Sequence, residues 1–113
     1  MLKTWTLQIF IQNPKVMTDM YKYNGRVIFN IDSNGDNFES FKTAVGWVRE
    51  QNADIKDTYL GGWDTSFIKF KLCGIEVEIW FRDFGGTELS VQDSFNLDLD
   101  IIFGWVQSIK SKL

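Results

Sequence analysis

Glu76 and Glu78 stand two residues apart in the run IEVEIW, so a strand there places both carboxylates on one face. Two carboxylates flanking a bond are the equipment of glycoside hydrolysis. Here, however, the run SFIKFKLCGIEVEIWFR folds back at Cys73-Gly74 and sets Lys71 opposite Glu76 and Lys69 opposite Glu78. Each acid meets a cation, and the pair reads as a cross-strand charge ladder. Other chemistry is thin. The chain has no histidine, which removes Ser-His-Asp and Cys-His nucleophiles and the commonest transition-metal ligand. One cysteine builds neither a zinc site nor an intramolecular disulfide. Cys73 at a hairpin tip is either an exposed thiol or simply a tolerated small residue. No phosphate-cradling glycine loop is present.

Two short stretches imitate known sites. Asp32-Ser33-Asn34-Gly35-Asp36 looks like the start of a calcium loop, but that loop needs glycine sixth and glutamate twelfth. Here Gly35 is fourth and Thr43 is twelfth, so the stretch is a turn leading into a helix cap. Asp83-Phe84-Gly85 spells the magnesium tripeptide of kinases without their other signatures, and it is also a turn. No metal and no cofactor is expected. Phe67 and Trp80 beside Lys69 and Lys71 would suit base stacking, but Glu76 and Glu78 offset those lysines. A pI near 4.8 and a net charge of −3 further disfavour a phosphate-binding role.

The elements that hold these residues can be read from periodicity. In the 66–82 hairpin, Ile68, Phe70, Leu72, Ile75, Val77 and Ile79 share one apolar face, and Phe67 meets Trp80 on the other. Such in-register pairs stabilise by roughly 0.2–1 kcal/mol each, and a one-residue slip would send every side chain to the wrong face. Residues 4–12 alternate as a half-buried strand ending at Asn13-Pro14. Residues 15–23 fit either a short helical stripe or a strand. Asn24-Gly25, a strong hairpin turn, favours pairing Met17–Tyr23 with Arg26–Asp32. Asp36 with Glu39 reads as a capping box for a helix reaching about Asn52, whose inner stripe is Phe38, Phe41, Val45 and Val48. Trp47 sits at the edge of that stripe, as a peripheral core aromatic or a partner anchor. The stretch 53–64 loses periodicity and reads as the longest connection. Thr87–Val91 is a further strand. Asn96 is the expected cap of a closing helix with Leu99, Ile102, Trp105, Val106, Ile109 and Leu113 on one face.

At 113 residues, 44% hydrophobic and 16% aromatic, one folded domain is expected without disulfides or metal. The fold class is α+β: a two-layer sandwich with a mainly antiparallel sheet of about six strands, βββ-α-βββ-α, and both helices on one face. The other sheet face then lies open to solvent or to a partner. The N-terminus lacks a signal-peptide pattern and no run approaches a membrane span, so a soluble, cytoplasmic protein is expected.

Charge distribution is the most distinctive feature. No lysine or arginine occurs from Asp83 through Ile109, while Asp83, Glu88, Asp93, Asp98 and Asp100 do. Asp54, Asp57 and Asp64 form a second acidic stretch. Part of this serves the helix dipole and solvated loops. The rest, with Trp47, Tyr59, Trp63 and Trp80, suggests an acidic, aromatic surface that docks a basic protein.

In the helix from Phe38 to Val48, Gly62-Trp63-Asp64, the run FKLCGIEVEIWFRDFGGTEL and the closing LDLDIIFGWVQSIK, the chain resembles the small immunity proteins of bacterial toxin systems, including contact-dependent growth inhibition. The resemblance is architectural and spans about two-thirds of the sequence. It implies a non-enzymatic protein that binds and neutralises a cognate toxin domain, often a basic nuclease, as a heterodimer. From charge and exposure, the expected partner contacts are Asp57, Trp63, Asp64, Trp80, Asp83 and Glu88. The rival readings are an acidic secretion chaperone acting as a homodimer, and an enzyme built on a carboxylate or tyrosine site.

Overall fold

The computed structural model describes residues 20–61 and 64–113. Alternation and turn chemistry build the sheet. β1 (Met20–Tyr23) and β2 (Arg26–Asp32) are joined at Asn24-Gly25, both with positive φ, as that turn requires. A helix, α1 (Phe38–Glu50), follows. Then come β3 (Asp54–Tyr59), β4 (Thr65–Leu72), β5 (Ile75–Arg82), β6 (Gly86–Gln92) and the closing helix α2 (Leu99–Lys110). The architecture is α+β, in the order ββ-α-ββββ-α, with one six-stranded sheet ordered β1-β2-β6-β5-β4-β3. Every neighbouring pair is antiparallel.

The central hairpin has the register expected of it, from Leu72↔Ile75 through Phe70↔Val77, Ile68↔Ile79 and Phe67↔Trp80. The Asn24-Gly25 hairpin forms over Met20–Tyr23, with Tyr23 opposite Arg26, while residues 17–19 of the expected strand lie outside the described residues. The expected strand at 4–12 lies outside the described residues. The stretch 53–64, expected as a connection, instead contains β3 at the sheet edge. Its side chains are all exposed, so it carries no burial pattern from which a strand could be read. Its partner β4 supplies the ladder that makes it a strand.

Both helices cover one face. Val27, Phe29, Ile68, Phe70, Val77, Ile79, Phe81, Leu89 and Val91 project from the sheet into a core closed by Phe41, Val45 and Val48 of α1 and Ile102, Val106 and Ile109 of α2. Trp47 is part of this core at 2% exposure. It packs against Trp105 at 6.3 Å and donates its Nε1–H to the Ser108 hydroxyl at 3.0 Å. It therefore joins the helices and is not a surface anchor. Leu99 and Leu113, expected on the inner face of α2, are exposed.

Both helix caps differ from expectation. α1 begins after Asn37, which makes no side-chain cap, and not at Asp36. The Asp36 N–H is held by the Asn34 side chain at 2.9 Å, and Glu39 pairs with Lys42 at 3.2 Å, so no capping box forms. At α2, Asp98 is the cap, accepting from the N–H groups of Asp100 and Ile101 at 3.1 and 3.3 Å. Asn96 is occupied instead by the Ser94 hydroxyl.

Two glycines lock the loops at one end of the sheet. A Cβ on Gly35 would stand 1.7 Å from the Asp83 carbonyl oxygen, and one on Gly86 (φ +75°) would stand 1.9 Å from that of Asp32. The β2–α1 and β5–β6 turns thus interlock through backbone. Among the described residues, no helix is long and apolar enough to cross a membrane.

Candidate functional site: the open face of the sheet

Strand pleating sends alternate residues of β4, β5 and β6 away from the helices. Three aromatic rings line up there across neighbouring strands. Tyr59 on β3 lies 6.1 Å from Phe67 on β4, and Phe67 lies 4.7 Å from Trp80 on β5. Cations of the chain rest on the rings. The Arg82 guanidinium sits 4.6 Å from the Trp80 ring centre, and the Lys69 ammonium sits 5.2 Å from Phe67 and 5.8 Å from Trp80. Both are attracted by the negative faces of the rings.

Carboxylates flank this ladder in defined partnerships. Glu78 accepts from the Trp80 indole at 2.8 Å and pairs with Arg26 at 3.5 Å. Arg26 also donates to the Ser90 hydroxyl and carbonyl, which ties β2 to β6 across this face. Glu88 pairs with Arg82 at 3.6 Å and accepts from the Tyr21 hydroxyl at 2.6 Å. Partial burial of the phenol, then that hydrogen bond and the charge of Glu88, push the Tyr21 pKa up to about 12. The lysines stand opposite Glu76 and Glu78 in the ladder as expected, yet Glu78 takes Arg26 as its ion partner and Lys69 turns to the rings.

A bulge in β3 decides which of its side chains join this face. The register shifts between Ile55 and Asp57, with Asp54 opposite Lys71, Asp57 opposite Lys69 and Tyr59 opposite Phe67. Lys56 is the extra residue. Were the pairing regular through Lys56, Asp57 and Tyr59 would stand opposite Ile68 and Ser66 and turn to the helix side. The Lys56 ammonium donates to Asp54 at 2.6 Å; that bond, then the carboxylate charge, raises its pKa.

The expected contact residues fall into separate places. Asp57, Trp80 and Glu88 share the open face. Asp64 and Asp83 sit together at one end of the sheet, where the Asp83 N–H donates to the Asp64 carbonyl at 3.0 Å. Both are exposed. Trp63 lies outside the described residues. Glu88 is tied on two sides and shapes the face more than it offers a free charge. Sequence reasoning passed over Phe84, which is 84% exposed beside Asp83 at the tip of the β5–β6 turn. Its signal was an aromatic residue in a turn, where no strand partner can cover it. Arg82 was also missed as a ring partner, because a side chain two positions along the same strand is not a cross-strand neighbour.

Among the described residues, no group of histidine, cysteine, aspartate and glutamate could hold a metal ion. An open hollow of about 460 Å³ lies between the β4–β5 turn and the segment before α2, lined by Lys71, Glu76, Gln92 and Asp98. No protein-family model matches the chain, and no similar sequence is found among curated proteins.

Proposed function

We propose that this protein is a non-enzymatic immunity protein, cytoplasmic, that neutralises a basic toxin domain of a bacterial competitor or sibling by binding it. The observation that carries the reading is the open sheet face. It spans six strands, no described element covers it, and a ring ladder bordered by acids crosses it from β3 to β5. Aromatic rings held rigidly by neighbours are the usual anchors of tight interfaces. The acids at Asp57, Asp64 and Asp83 favour a basic partner by steering its approach. Direct contact is assigned to Asp57, Trp80, Asp64 and Asp83, with Glu88 positioning Arg82; Trp63 remains a proposed contact from its place in the sequence.

Co-expression tests this. The toxin domain encoded immediately upstream is expressed in a bacterium with and without this chain. Specific restoration of growth, weakened by charge reversal at Asp64 or Asp83 without loss of fold, is the expected result. A lethal domain that this chain, soluble and abundant, fails to counter would overturn the reading.

One observation favours a second reading, an acidic secretion chaperone acting as a homodimer. Leu99 and Ile101 of α2, with Phe95 just before it, expose apolar surface on the helix layer. A stable dimer by light scattering, broken by Ile101→Glu, would support it; a monomer would remove it.

A further inference from the structure

We propose that the outer end of the ring ladder, formed by Tyr59 and Asp57, is a receptor for an arginine side chain from the partner. The inference rests on the reading of this chain as a binder of a basic protein, and it names the chemistry of one contact. The chain itself shows what the ladder accepts. Trp80, the inner ring, carries the Arg82 guanidinium on one side and faces the Lys69 ammonium, which also serves Phe67. Tyr59, the outermost ring, is 52% exposed and carries no cation among the described residues.

Asp57 completes the arrangement. It is two residues from Tyr59 and on the same face, so their side chains leave the strand about 7 Å apart. Lys69 stands opposite Asp57 in the ladder but turns toward the rings, and Asp57 has no ion pair among the described residues. A ring and a free carboxylate at this separation suit one guanidinium, which can lie flat on the ring while its N–H groups reach the acid. An ammonium has no flat face and would satisfy only one of the two.

The edge position explains why a side chain is the ligand. Among the described residues β3 ends the sheet with its outer backbone unpaired, but its bulge and Lys56 break the regular spacing that a docking strand needs. The edge is guarded against strand addition while Tyr59 and Asp57 stay accessible.

The test uses the whole protein and end-blocked peptides alternating glycine with arginine, with lysine, or with citrulline, which has arginine's shape without its charge. Ring-proton NMR shifts of Tyr59 and Phe67 report binding. Saturable shifts with the arginine peptide, at least threefold weaker with lysine and absent with citrulline, are expected. Tyr59→Leu should abolish them, Asp57→Asn should weaken binding at least threefold, and Tyr59→Phe should retain it. Tyr23→Leu, distant on the same face, should change nothing. Citrulline binding equal to arginine, no response at Tyr59, or full binding by Tyr59→Leu would overturn the receptor. Growth rescue without arginine binding would sink this contact alone; arginine binding without rescue would sink the immunity reading alone.

Discussion

Phe81 and Trp80 are adjacent on β5 and point to opposite faces of the same sheet. Phe81 is 1% exposed, edge-on to Phe38 at 5.1 Å and near Phe41 at 6.4 Å. Its partners are apolar, and burial is its whole contribution. Trp80 is half-buried, with Phe67 beside it, Arg82 on its face and its N–H on Glu78. It is held by directional pairings, each modest. The inner face sets whether the chain folds; the outer face sets what the folded chain presents.

The largest expected effect comes from the inner side. Phe81→Ala should cost about 3–5 kcal/mol, the range for emptying a large aromatic site that its surroundings cannot refill. Urea unfolding at neutral pH reads it directly. Trp80→Ala, on the same strand, should cost clearly less. Equal losses would mean that the open face is as much a core as the covered one, and the contrast between them would fail.

Those two faces also differ in how legibly the sequence announces them. The inner face is written as alternation, and Ile68, Phe70, Val77 and Ile79 declare it without ambiguity. The hairpin register follows because any slip would bury lysines and glutamates. On the outer face the sequence shows which residues stand opposite, but not which partner each long side chain chooses. Glu78 stands opposite Lys69 yet takes Arg26, a residue 52 positions away, because β2 and β5 flank β6 and Arg26 reaches across it. Strand order was the missing information. β3 failed for a related reason: its strandedness comes from β4 and not from its own exposed DIKDTY. Both capping errors are local competitions, in which the Asp36 N–H was taken by Asn34 and Asn96 was taken by Ser94.

A smaller effect sharpens the account of the outer face. In a double-mutant cycle of Phe67→Leu and Trp80→Leu, the ring–ring coupling should be about 0.5–1.5 kcal/mol, the usual surplus of an aromatic pair beyond its area. Strictly additive losses would show that the rings merely share a neighbourhood, and the ladder would lose its standing as a rigid platform.

The smallest effect is confined to alkaline pH. Tyr21 is held neutral by partial burial and by its bond to Glu88, with its pKa pushed up to about 12, while an unfolded chain ionises tyrosine near 10. Below about pH 10 the phenol is protonated in both states, and its contribution is fully present. Between about 10 and 12 the unfolded chain gives up the proton and the folded one keeps it, so stability falls as pH rises. Above the folded pKa the contribution is gone. Tyr21→Phe removes this one term, so the variant should lose less stability than the parent across that window, measured by urea unfolding at matched ionic strength. Because the phenol is nearly half exposed, solvent screens the effect and the difference should be modest. Parallel curves for parent and variant would mean that the Tyr21–Glu88 contact does not hold β1 against β6, and that the open face ends at β2.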